Sequence, residues 1–159
     1  MHALSIMGFF CEDIREESGG TFTLIGLMPD NVTVEELKPD DANDGASLSN
    51  RMVTKLCVFV RANFDPDDPT QEILLHLILP NEQKIDLGGT NAALMQQSKQ
   101  QAKDRGNPLA GITLRAMLGG FNLPKLGVVK LEAVIEGKSR LLGALNFGAA
   151  EKAISASAP

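Results

Sequence analysis

Tryptophan and tyrosine are absent from this chain of 159 residues, and phenylalanine occurs only seven times. Stacking of bases or sugars on exposed indoles and phenols is therefore excluded as a binding mode. Cysteine is nearly absent too. Cys11 and Cys57 are the only two, and each lies in an apolar run where cysteine behaves as a small buried hydrophobe. They read as free core thiols, because nothing else in the sequence suggests the oxidising compartment that disulfides need. Two histidines, His2 and His76, are too few and too scattered for a zinc site of the usual spacing.

Positive charge is thin. The net charge is −5 and the pI about 5.0, whereas nucleic-acid binding rests on Lys and Arg neutralising phosphates. The small groups Arg51, Lys55, Arg61 and Lys99, Lys103, Arg105 read as solvated faces, so no nucleic-acid partner is expected. Long apolar runs are missing as well. The start MHALSIMGFFC is far short of the roughly 20 residues of a membrane helix. It also lacks the basic leader and small residues of a secretory signal. A cytoplasmic site with no membrane partner is the resulting expectation.

What is present is a core. Hydrophobic residues make up 43% of the chain and charged ones 22%, proportions of an ordinary globular domain. A chain of this length buries about two-thirds of its unfolded surface and needs no disulfide or metal to fold. Residues 1–148 read as one domain and residues 149–159 as a tail.

Within that domain, Leu4–Cys11 is almost continuously apolar and Thr21–Met28 alternates, as does the short Asn31–Glu35. Arg51–Phe64 is the longest strand candidate, with Met52, Thr54, Leu56, Val58, Val60, Ala62 and Phe64 on one face. Glu72–Leu79, Lys84–Leu87 and Ile112–Leu118 follow. Val129–Ile135 and Arg140–Phe147 then alternate around Glu136-Gly137-Lys138-Ser139, the pattern of a β-hairpin. Residues 90–105 suit one peripheral helix or long loop, with Thr90 or Asn91 as N-cap, Gly106 at the stop, and Leu94, Met95, Ser98 and Ala102 as its face. The fold class expected is mainly β: an antiparallel β-sandwich of about eight strands.

No constellation points to one chemistry. There is no G-x-S-x-G elbow or P-loop. The pairs Gly19-Gly20, Gly88-Gly89 and Gly119-Gly120 read as reversals or bulges where a positive φ is needed. His76 in EILLHLIL reads as a structural residue with no visible partner to make it a base. Carboxylates beside Cys11 would raise its pKa rather than activate it. Two acidic stretches remain. Asp40, Asp41 and Asp44 in one loop, with Asp65, Asp67 and Asp68 in another, form a candidate calcium site, because calcium prefers clustered carboxylate and carbonyl oxygens. The polar insert CEDIREESGG offers Glu12, Asp13, Arg15 and Glu16 as binding residues. It is also the place for an enzyme site, should Asp13, Arg15 and Glu16 converge on a pocket. Nine residues between Cys11 and Thr21 exceed what a simple turn needs.

That insert carries a resemblance. Cys11-Glu12-Asp13-Ile14-Arg15-Glu16-Glu17-Ser18-Gly19-Gly20, running into Thr23-Leu24-Ile25-Gly26-Leu27, resembles the opening of a group of small uncharacterised bacterial proteins. These have an apolar strand, a C-D-D-[IV]-R-x-E-x-G-G-K-like insert and an S-L-I-G-V-like strand. Glu12 stands where Asp is usual and Thr21 where Lys is usual. Leu123 to Phe147 is similar to the last hairpin of bacterial β-sandwich domains. The resemblance implies a bacterial or phage-associated β-sandwich, virion-borne if phage-encoded, and carries over no catalytic residues. The expected function is a non-enzymatic binding or assembly module with a protein partner, a homo-oligomer being one form, and no cofactor. The alternatives are the calcium-dependent module and the enzyme built around residues 12–20.

Overall fold

A computed structural model of the chain describes residues 4–34 and 51–149. Nine strands and one helix follow in the order β1 (Ser5–Glu16), β2 (Phe22–Leu27), β3 (Asn31–Val34), β4 (Arg51–Phe64), β5 (Ile73–Ile78), β6 (Lys84–Gly89), α1 (Ala92–Asp104), β7 (Ala110–Leu123), β8 (Gly127–Ile135) and β9 (Lys138–Ala149). They form a four-stranded sheet A, ordered β2-β1-β4-β7, and a five-stranded sheet B, ordered β3-β9-β8-β5-β6. Every pairing is antiparallel except β3 with β9. The mainly β sandwich with one peripheral helix is thus observed. Its single parallel contact arises because β3 crosses from sheet A to the edge of sheet B.

The alternation along β4 decides which side of sheet A is inside. Leu56, Val58, Val60, Ala62 and Phe64 are fully buried and face Ile73, Leu75, Leu77, Val129, Leu131, Ala133 and Leu145 of sheet B. Burial of each such side chain contributes roughly 1.5–3 kcal/mol, so this interface dominates the fold. Gly8 of β1 lies close against sheet B, since a Cβ there would meet Leu131 and Leu142. The β8–β9 hairpin turns on Glu136 and Gly137, both at positive φ, which is the twist a two-residue connection requires.

Several strands run longer than their sequence pattern suggests, β7 and β1 among them. Strand β7 extends through Gly119-Gly120, which therefore do not reverse the chain, and pairs with β4 from Ala110 to Leu123. Strand β1 continues through the polar insert to Glu16. Helix α1 is capped by Asn91, whose side chain accepts from the Leu94 N–H at 2.9 Å. Thr90 does other work, accepting from the Ile73 N–H at 2.8 Å. The helix buries Met95, Lys99 and Ala102, while Leu94 is exposed. Lys99 replaces Leu94 on the inner stripe because its apolar stem packs inward and its ammonium finds backbone carbonyls.

Of the tail, Ala149 closes β9 and residues 150–159 lie outside the described residues. No helix among the described residues is long and apolar enough to cross a membrane.

Candidate functional site

The insert is not a loop. Asp13 to Glu16 pair with Ile25 to Phe22 in a continued hairpin. The reversal itself needs only residues 18–20, closed by the Glu17 N–H donating to the Thr21 carbonyl at 2.9 Å. Gly19 and Gly20 both take positive φ there, where other residues are strained. Ile14, the apolar residue among these charges, is half-buried and stands opposite Leu24 in that hairpin.

The ladder of β1 with β4 runs only from Ser5↔Asn63 to Cys11↔Cys57. Beyond that rung the hairpin departs. Its tip comes to lie across the outward face of sheet A, opposite the core, and three contacts show this. The Phe22 ring meets the Phe59 ring with centroids 5.7 Å apart. The Arg115 guanidinium lies 5.0 Å from the centroid of the same Phe22 ring. The Arg115 Nη2 also donates to Glu16 Oε2 at 2.8 Å. Phe59 and Arg115 are opposed residues of β4 and β7, so a contact from β1 to β7 has to pass over β4.

At the base of the hairpin, Lys55 donates to Asp13 Oδ1 at 2.6 Å, and Arg15 lies 3.7 Å from the other carboxylate oxygen. The hydrogen bond from Lys55 holds the Asp13 carboxyl below its usual pKa, and Asp13 holds the Lys55 ammonium above its own. The Glu12 carboxylate lies against Gly26, a residue at positive φ.

Of the four expected binding residues, Asp13 and Arg15 come together with Lys55, and Glu16 is carried further out to Arg115. These groups sit half-exposed on a hairpin, each bonded to an opposite charge. A cleft of about 180 Å³ lies elsewhere, between α1 and the start of β7, lined by Arg61, Ser98, Gln101, Arg105 and Asn107 among others. Arg61 crosses β7 there over Gly111 and donates to Asn63 Oδ1 and Thr113 Oγ1 at 3.1 and 3.0 Å.

The cysteines are free and fully buried, but they are not in the core. They stand on the outward face of sheet A, outside the apolar cluster between the sheets. The reason is parity: Cys57 alternates with the inward Leu56 and Val58. The Cys57 thiol donates to the Glu12 carbonyl at 3.5 Å. Burial, reinforced by Cys57 and Asp13, pushes the Cys11 thiol up to about 11. Desolvation raises Cys57 likewise.

Around the cysteines, sheet A keeps large apolar side chains in solvent. Leu27 is 58% exposed, Met117 63%, Met7 49% and Phe9 38%. Leu27, Cys11, Cys57 and Met117 form one row across all four strands, with Phe9 in the next row. This patch left no sequence signal of its own, because its members come from three strands.

The second acidic stretch resolves differently. Asp40, Asp41 and Asp44 lie outside the described residues. Asp65 Oδ1 accepts from the Asp67 N–H at 2.9 Å, and Asp68 Oδ1 from the Thr70 N–H at 2.8 Å. The cation this loop holds is a lysine: Lys99 Nζ donates to the carbonyls of Asp68 and Thr70 at 2.5 and 2.7 Å. Lys103 pairs with Asp67 at 2.6 Å. Lys99 is therefore not part of a solvated basic stripe. No cluster of three or more His, Cys, Asp or Glu side chains suited to a metal occurs among the described residues. On sheet B, His76 stands opposite Asp86 on β6 and Glu132 on β8. Its shielded Nδ1 has no hydrogen-bond partner among the described residues.

Compared with known proteins, the chain matches no family model and no curated protein.

Proposed function

We propose that the protein is a non-enzymatic binding module, bacterial or phage-associated, that assembles with a second copy of itself through sheet A. The observation that carries this reading is the outer edge of β7, which has β4 on one side only and holds the exposed Met117.

The second copy is favoured by the position of that edge. Met117 belongs to β7, the outer strand of sheet A, which has β4 on one side only. Helix α1 reaches its start, through the Ser98 hydroxyl donating to the Gly111 carbonyl at 3.1 Å. From Thr113 to Gly120 no strand among the described residues pairs with its other edge. An edge this long, with Arg115 as its only charge, is a template for another strand. Antiparallel pairing of two β7 edges satisfies both by a two-fold axis, the commonest oligomer symmetry. It also brings Met117 of each copy to the seam.

Light scattering on the eluting protein across a concentration series tests this. The expected mass is that of two chains, falling to one in Met117→Asp with the melting temperature kept, since that side chain is mostly solvated. A one-chain mass for the unaltered protein at high concentration overturns the reading.

A further inference from the structure

The two cysteines of the chain, far apart in sequence, occupy directly opposed positions of one ladder. Opposed residues of antiparallel strands have Cα atoms about 4.5–5.5 Å apart and point to the same face. A disulfide needs Cα atoms roughly 4.4–6.8 Å apart. The opposed positions of Cys11 and Cys57 fall within that range. Their position in the ladder matters equally. Cys11↔Cys57 is the last rung of the β1–β4 pairing, the point where the hairpin leaves sheet A.

We propose that Cys11 and Cys57 are an oxidisable pair, forming a cross-strand disulfide with a low-molecular-weight disulfide as oxidant and stapling the base of the β1–β2 hairpin to β4. One protein thiol gives up its proton to solvent and attacks the oxidant, forming a mixed disulfide and releasing one thiolate. The second protein thiolate then displaces the other half. One protein disulfide and two small thiols result, and the two electrons lost by the protein reduce the oxidant.

Access controls the rate. Both thiols are fully buried and held protonated, so the closed form is inert. Uncovering them requires the hairpin tip to lift from the outward face, breaking the Phe22–Phe59 contact and the Glu16–Arg115 and Asp13–Lys55 pairs. The core between the sheets stays intact. Such local opening takes much less free energy than global unfolding, and exposed ion pairs add little to its barrier. Once formed, the staple holds the hairpin at the rung where it would otherwise peel away.

The folded protein is incubated with excess oxidised glutathione at mildly alkaline pH, quenched in acid, alkylated with N-ethylmaleimide under denaturing conditions and weighed intact. The expected product is two hydrogens lighter than the reduced chain, carries no maleimide, and yields a Cys11–Cys57 linked peptide. Phe22→Ala, which loosens the hairpin tip, speeds its formation several-fold. Two maleimide adducts after long incubation, a persistent glutathione adduct, or linkage that appears only in denaturant would each overturn the proposal. So would a Phe22→Ala variant that stays folded and oxidises no faster than the unaltered protein.

Discussion

Between Asp65 and Thr70 two of the three carboxylates, Asp65 and Asp68, bond to backbone N–H groups two residues away, whereas between Asp13 and Glu16 they reach partners 42 and 99 positions distant. Both segments are short, acidic and flanked by apolar strands. Pro66 and Pro69 make the difference. They end β4 and force a turn, and a turn lets an aspartate satisfy its own neighbours. The hairpin has no proline, so Ile14 and Phe22 carry the strand onward and its charges find partners on other strands. The local segment is then anchored by one buried cation, Lys99, and the hairpin by several half-exposed contacts. A turn of this kind is a fixed part of the body, while a hairpin so held is the part able to open.

The largest effect expected from breaking this contrast is at Lys99. Lys99→Met keeps the stem but strands the carbonyls of Asp68 and Thr70, and leaving such groups unpaired costs about 2–3 kcal/mol. Thermal unfolding should shift down by about 5–10 °C, at the roughly 2–4 °C per kcal/mol of a domain this size. An unchanged melting temperature would show that the loop does not depend on its lysine.

Phe22→Ala comes next. It removes one ring of an aromatic pair and the surface under Arg115, for a loss of about 1–2 kcal/mol. Hydrogen exchange should accelerate at residues 12–25 and not in β5 or β8. Uniform acceleration would mean that the hairpin is not a separate opening unit.

The smallest effect belongs to Asp13 and appears as a pH dependence. Its carboxyl is held low by Lys55, so its stabilisation is present above the ordinary carboxylate range. It fades as pH falls through the depressed folded value. Lys55, held high, keeps its share below its ordinary range and loses it only as pH rises through the raised value. Across neutral pH the pair is intact. Asp13→Asn should flatten the acid limb of a urea-midpoint profile without moving the neutral plateau much. A full acid limb in that variant would place the titration elsewhere.

Much of the sheet structure was legible because alternation is a local property. Arg51–Phe64 emerges with the bounds its pattern suggests, and the turn at Glu136-Gly137 follows from turn chemistry alone. The insert was harder. Its charges read as a loop, since pattern reading weighs polarity and cannot see that the partners Lys55 and Arg115 lie across the sheet. Helix α1 was placed well along the chain but turned wrongly at one position, because a lysine stem packs like a hydrophobe when its head meets carbonyls. Asp13, Arg15 and Glu16 are visible in the sequence as a charged run, while the exposure of Met7, Phe9, Leu27 and Met117 is not.

The division has one physical origin. Periodicity and capping, written into consecutive residues, determined that this chain forms strands of two-faced character, one capped helix and glycine-borne turns. Which strands lie side by side, and in what register, depended on packing two sheets against each other over long separations. Only that packing set Cys11 against Cys57, carried Glu16 over β4 to Arg115, and left Leu27 and Met117 facing solvent.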